Sequence, residues 1–298
     1  MKKISTKRIK ITCDCNQDCI FCDSNISPDP DLYSEKQVKL QISQRNGLRR
    51  LNITGGEPTV CEKLEEYIEL AKKTGYRDIA MLTNGNKFAD KKYALQIKKS
   101  GLTEAIISVY HYDPQICDQI SKVKGSFSQK LKGIANLQKL GIKITVNIVI
   151  FSGNYLAIPQ IVDYLHKTFG IKYFAFSFLE PNCEKVSRNP EFVPSLKVSM
   201  SYLKKAIRYC EKNKLQYLIP WNGAIPPCIF KVNKLKIIKP EKIIGTDFDS
   251  SRSYYPICGK CGERSYCLGI LKEYAPDCID IIQGENKIKW TRNAKKDK

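Results

Sequence analysis

Arg8-Ile9-Lys10-Ile11-Thr12 alternates polar and apolar residues and runs almost directly into Cys15-Asn16-Gln17-Asp18-Cys19-Ile20-Phe21-Cys22. The alternation predicts a β-strand, and the C-x3-C-x2-C run predicts a loop at its end. Three thiolates within eight residues can converge on one centre. Such a soft, all-sulfur set suits an iron–sulfur cluster or zinc rather than hard cations. Three ligands do not complete a four-iron cluster, so one iron stays open, and an open position keeps a metal site chemically active. The competing reading is a zinc knuckle that lacks a ligand.

Outward from this loop, strands and helices alternate. Ser34 is placed as the N-cap of a helix that Gly47 ends, and Arg50 to Ile53 is a second strand. That strand meets Thr54-Gly55-Gly56-Glu57-Pro58, where paired glycines let backbone approach a ligand closely. An amphipathic helix from Glu62 to Gly75 precedes strand Asp78 to Thr83, which Asn84-Gly85 stops. Helix Asp90 to Ser100, strand Ala105 to Val109, helix Phe127 to Leu140 and strand Ile142 to Ile150 follow. Helix Pro159 to Phe169, strand Tyr173 to Leu179, helix Ser195 to Asn213 and the apolar run Leu215 to Ile219 complete the series. This βα alternation predicts an α/β chain built on a parallel sheet, a partial (β/α)6 TIM-like barrel with a small Cys-rich C-terminal domain. The barrel would cover 1–219 and the second domain 220–298. Cys15 to Cys22, Gly55 to Pro58 and Asn84 all follow a strand and precede a helix, so they would share the barrel's C-terminal edge.

C-x3-C-x2-C followed, one helix and one strand later, by Gly-Gly-Glu-Pro resembles the signature of the radical S-adenosylmethionine (radical SAM) superfamily. Phe21 before the third cysteine fits the same pattern, and the resemblance runs from about Lys7 to Glu180. It implies that Cys15, Cys19 and Cys22 hold a [4Fe–4S] cluster whose open iron binds S-adenosylmethionine (SAM). It also implies cofactor contacts from Gly55, Gly56, Glu57, Pro58 and Asn84, with Ser108 and Asn147 at later strand ends. No catalytic side chain is assigned.

The 13 cysteines, in a chain without an evident secretory segment, argue for metal ligation over disulfides and for the cytoplasm. With only two histidines, His111 and His166, a His-based metal site is nearly excluded. Cys61, Cys117, Cys183 and Cys210 lie singly and read as small hydrophobes. The late group is Cys228, Cys258, Cys261, Cys267 and Cys278, with Gly259, Gly262 and Gly269 letting the backbone curl. It resembles the auxiliary-cluster domains (SPASM and the shorter twitch) of radical SAM enzymes. Leu271 stands where the fuller pattern has a further cysteine, so a single second [4Fe–4S] cluster is expected, a zinc ribbon being the alternative. Its fourth ligand is Cys228, which the stiff Pro226-Pro227 approach favours, or Cys278.

A net charge of +20 attracts polyanions, yet lysine supplies 40 of the 50 basic residues, and phosphate readers lean on arginine. No apolar run approaches the roughly 20 residues of a membrane helix. The resemblance therefore implies a radical SAM enzyme that makes a 5′-deoxyadenosyl radical and takes hydrogen from its substrate. A peptide in ribosomal peptide maturation is the first expectation; tRNA or another RNA, or a small metabolite, is the alternative. An electron donor such as flavodoxin or ferredoxin is implied. From another class, a structural iron–sulfur or zinc protein binding nucleic acid has no use for the Gly55 to Pro58 turn.

Overall fold

The computed structural model describes residues 6–22, 30–181, 183–219, 225–232, 252–261, 267 and 269–293. Seven strands form one sheet in chain order: β1 (Thr6–Lys10), β2 (Arg50–Thr54), β3 (Asp78–Thr83), β4 (Glu104–Ser108), β5 (Lys143–Ile150), β6 (Tyr173–Phe178) and β7 (Gln216–Leu218). From β1 to β5 every pairing is parallel, with Lys10 beside Thr54 at the C-terminal ends of β1 and β2 and Ser108, at the end of β4, beside Asn147 within β5. Neighbouring residues of both parities are buried along β3, as Ile79, Ala80 and Met81. That is the mark of a parallel sheet covered on both faces. The expected α/β class and partial-barrel order stand.

The helices are α1 (Glu35–Ser43), α2 (Leu64–Thr74), α3 (Lys91–Ser100), α4 (Pro114–Ser121), α5 (Ser126–Lys139), α6 (Ile158–Phe169), α7 (Glu184–Ser187), α8 (Leu196–Lys212), α9 (Pro227–Val232) and α10 (Ala275–Asn293). The expected Ser34 cap holds, its side chain accepting from Gln37 N. Two helices of consequence went unread. Short α4 starts at Pro114 with Asp113 accepting from Gln115 N and Ile116 N, a cap-plus-proline signal. Helix α10 carries no one-sided apolar stripe, so periodicity could not reveal it. Among the described residues, no helix is long and apolar enough to cross a membrane. Trp221, Gly262 and Pro28 lie outside the described residues.

The chain divides into two compact units, Met1–Ile148 with Asp163–Phe174, and Val149–Val162 with Ala175–Lys298. The division falls within β5, α6 and β6, and it gathers α8 and α10 with the ends of the last strands. In the first unit, β-strand residues Ile9, Leu51, Ile53, Ala105 and Val146 meet helix faces carrying Val38, Ile68, Ile97 and Leu137, all buried. In the second, a two-stranded pairing of β8 (Arg252–Ser253) and β9 (Ile270–Leu271) precedes α10. Tyr274 donates to Leu179 O at 2.9 Å. Asp277 caps α8, accepting from Ser195 Oγ at 3.0 Å and Leu196 N at 2.5 Å. The carboxylate also opposes the positive end of the α8 dipole.

Helix α5 seats on the end of β3 through Gly133, where an added Cβ would lie 2.3 Å from Gly85 O. Alanine outranks glycine as a helix former by about 1 kcal/mol. Gly133→Ala therefore should stabilise an isolated helix yet destabilise this protein, because overpacking costs roughly 1–3 kcal/mol. Gly284→Ala in α10, with open space around it, is the control and should be neutral or stabilising. Urea unfolding of both variants checks the sign; a stabilised Gly133→Ala would refute the packing argument.

Candidate metal centre and cofactor site

The cysteine loop continues the edge of β1 and is zipped onto the turn after β2. Ile11 N donates to Thr54 O at 3.0 Å, Gly56 N to Thr12 O at 2.8 Å and Glu57 N to Asp14 O at 2.7 Å. An added Cβ at Gly55 would lie 2.2 Å from Thr12 O, and one at Gly56 2.2 Å from Asp14 O. These glycines thus admit the cysteine loop's own backbone, a use the sequence reading gave to a ligand. Gly55 also sits at φ +147, a conformation that side chains rarely adopt.

The other side of the loop rests on α4 and α5. Asp18 N donates to Ser121 O at 3.3 Å, Ile20 N to Ile120 O at 3.0 Å and Gln17 Nε2 to Ser126 Oγ at 2.8 Å. Phe21 meets Tyr110 edge-on, ring centroids 5.1 Å apart. So clamped, Cys15, Cys19 and Cys22 lie in mutual electrostatic reach. Burial pushes the Cys19 thiol up to about 11, with the neighbouring Cys22 and Cys15 adding to the rise. Burial likewise raises Cys15, helped by Glu57 and Cys22. Desolvated thiols that obstruct one another's ionisation are a donor set awaiting positive charge, which a metal cluster supplies. A cluster bound through sulfur fits these residues. Among the described residues, no three Cys, His, Asp or Glu side chains gather tightly enough to hold a single ion.

Glu57, 1% exposed, ties three segments together. Its carboxylate accepts from Thr59 N at 3.0 Å, Thr59 Oγ1 at 2.7 Å, Thr83 Oγ1 at 2.7 Å and Asn84 N at 2.6 Å. Burial raises its carboxyl above the usual range while these four donors pull the other way. Asn84 then donates from Nδ2 to Asn16 Oδ1 at 2.7 Å and accepts from Asn86 N at 3.0 Å. A continuous chain of hydrogen bonds therefore joins the β2 turn, the end of β3 and the centre of the cysteine loop.

Ser108, the last residue of β4, is the register partner of Asn147 within β5, and both are half-buried. Ser108 is hydrogen-bonded to Tyr110, and Tyr110 to the Cys19 sulfur. All seven residues expected around the cofactor thus belong to the same unit as the three cysteines, five of them on the two turns beside the loop. His111 is buried, and its Nδ1 accepts from Asp113 N at 3.0 Å, which serves the turn into α4. Asn16, Tyr110 and Lys130 were missed. Lys130 had a signal: with Phe127, Ile134 and Leu137 it occupies the buried stripe of α5, where a lysine is out of place.

In the second unit, burial pushes the Cys228 thiol up to about 12, and Cys261, Cys267 and Cys258 add to it. Burial also raises Cys278, with Cys228, Asp277, Cys267 and Cys258 contributing. Cys267 Sγ accepts from Gly269 N at 3.3 Å. Cys228 is thus within electrostatic reach of Cys258, Cys261 and Cys267, and Cys278 of Cys228, Cys258 and Cys267. Cys117 and Cys210 are buried singly, and Cys117 donates to His111 O at 3.0 Å.

Glu57→Ala would strand buried donors of Thr59, Thr83 and Asn84, each at about 1–3 kcal/mol, so a loss of several kcal/mol is expected. Glu57→Gln keeps the shape and should cost less than half as much. Denaturant unfolding measures both, and equal stabilities would remove Glu57 as the hub.

A family model described as the Radical SAM superfamily matches residues 9–184. A probable GTP 3′,8-cyclase of Sulfolobus acidocaldarius is 32% identical over 167 residues, 55% of this chain and 52% of that protein. The chain thus spans about half the length of the curated relatives it matches. Among solved structures, anSMEcpe with bound AdoMet and Kp18Cys peptide is similar at TM-score 0.61 and 14% identity, covering 97% of this chain and 99% of that one. SuiB of Streptococcus suis, bound to precursor peptide SuiA, is similar at TM-score 0.61 and 17% identity over 76% of this chain and 49% of that one. With the family model covering more than half its length, the chain belongs to the radical SAM superfamily, whose members use a [4Fe–4S] cluster and S-adenosylmethionine.

Proposed function

We propose that the protein is a hydrogen-abstracting radical SAM enzyme acting on a peptide, with Cys15, Cys19 and Cys22 holding the cluster. The observation that carries the reading is the three-thiol loop pinned on one side by Gly56 and Glu57 and braced at Asn16 by Asn84. When bound, the cluster supplies the electron that cleaves SAM to methionine and a 5′-deoxyadenosyl radical. The chain orients and shields. Gly55 to Pro58, Asn84, Ser108 and Asn147 offer backbone and polar groups around the cofactor, and the Phe21–Tyr110 contact closes the loop against water. The core would be 1–219 and the auxiliary domain 220–298, in a cytoplasmic protein served by a flavodoxin- or ferredoxin-type donor.

The late cysteines and the near end-to-end likeness to peptide-bound anSMEcpe support the peptide. A nucleotide such as GTP is the second reading, favoured by the cyclase relatives and the net charge of +20. The test is anaerobic: reconstituted protein with dithionite and SAM should release 5′-deoxyadenosine, and the Cys15→Ala/Cys19→Ala/Cys22→Ala variant should not. Deuterium should pass into 5′-deoxyadenosine from a labelled short peptide encoded beside the gene, and not from labelled GTP. Transfer from GTP alone would exchange the two readings, and equal product from the triple variant would sink both.

The late thiols would hold the second [4Fe–4S] cluster, with Cys228 as fourth ligand. Cys228 lies within electrostatic reach of Cys258, Cys261 and Cys267 together, whereas Cys278 is fully buried, which raises its thiol, with Cys228 and then Asp277 adding to the rise. The triple variant should therefore retain about four irons with matching sulfide. Adding Cys228→Ala should make them labile and adding Cys278→Ala should not. Zinc without sulfide would replace the cluster by a ribbon.

A further inference from the structure

The buried cation beside the cysteine loop has no carboxylate to itself. Lys130 is 1% exposed, and its stem runs past Gly85, where an added Cβ would meet Lys130 Cγ at 3.5 Å. Its ammonium lies over the Tyr110 ring, 5.1 Å from the centroid. Four ionisable groups surround it: Cys117, Cys19, Glu57 and Asp118. Three are engaged elsewhere. Glu57 accepts from four donors already named, and Asp118 accepts from Gly125 N at 2.6 Å and Phe127 N at 2.9 Å. Cys117 donates to His111 O. No ion pair joins Lys130 to any of the described carboxylates, and a buried ammonium with no compensating anion is strongly disfavoured.

The fourth is Cys19, whose Sγ also donates to Gln17 Oε1 at 3.7 Å. Tyr110 stands between the two, its ring under the ammonium and its hydroxyl hydrogen-bonded to the Cys19 sulfur. We propose that Lys130 is the fixed counter-charge of the cluster held by Cys15, Cys19 and Cys22, a positioning residue that favours the cluster's reduced state. This rests on the proposed reading of those three cysteines. Reduction adds one negative charge to the cluster, and a cation held nearby in low dielectric stabilises the more negative state. Net charge and hydrogen bonds to the sulfurs are the levers by which a protein sets such potentials. Tyr110 supplies the second lever and carries the ammonium on its ring face.

The experiment is an anaerobic redox titration of the full-length reconstituted protein, followed by electron paramagnetic resonance. The signal absent from the Cys15/Cys19/Cys22 triple variant belongs to this cluster; if no signal is lost there, the reading of the three cysteines fails and this proposal with it, whereas an unshifted midpoint of that signal overturns this proposal alone. Lys130→Met should lower the reduced-to-oxidised ratio at fixed potential about tenfold, a midpoint shift near 59 mV for one electron. Lys130→Arg should stay within a factor of about two of wild type if charge is what matters. Tyr110→Phe, which keeps the ring and removes the hydroxyl, should shift the midpoint in the same direction by less. Iron content checks loading, and Lys130→Gln replaces the Met variant if that one loads poorly. A Lys130→Met midpoint equal to wild type, or equal shifts in the Met and Arg variants, would overturn the proposal.

Discussion

Everything at the site depends on two backbones meeting at less than side-chain distance. The cysteine loop can lie against the β2 turn only because Gly55 and Gly56 leave the space of a Cβ to Thr12 O and Asp14 O. Two backbone hydrogen bonds then fix the loop's entry, and α4 and α5 fix its exit. The turn is held in its turn by Glu57, whose carboxylate reaches β3. A three-residue ligand set spread over eight positions has considerable freedom on its own. Here the hydrogen bonds and close backbone contacts of the fold limit that freedom.

Much of this was legible. Strand and helix alternation gave the parallel order, because each parallel crossover needs its helix and each helix shows one apolar stripe. The cysteine spacing and Gly55 to Pro58 located the site, because chemistry in such sheets gathers where strands end. Asn84 was placed for contact with a cofactor, and the structure also gives it Asn16, a neighbour 68 positions away. No local pattern encodes that bond. Helix α10 escaped because nothing in its composition is one-sided, and α4 because eight residues are too few for a periodic signal. Lys130 was hidden in plain view: within a lysine-rich chain, one lysine on an apolar stripe looked like composition.

That lysine changes how the charge of the chain is read. A net +20 attracts polyanions, yet exposed charges more than a Debye length apart are largely screened at physiological ionic strength. Lys39, Lys63, Lys122 and Lys167 are spent on partly exposed ion pairs of small value. A single ammonium out of water beside a thiol acts through a far lower dielectric, and so outweighs many on the surface.

The two cysteine groups differ in the same terms. Around Cys19 the field of its partner thiols is opposed by Lys130. Around Cys228 the neighbours that raise the thiol are themselves thiols, and Cys278 has the Asp277 carboxylate at its side. That carboxylate is not free to move away, since it caps α8 through Leu196 N and Ser195 Oγ. Asp277 thereby joins two tasks: it stabilises the start of α8 and adds its charge to the burial that raises the Cys278 thiol.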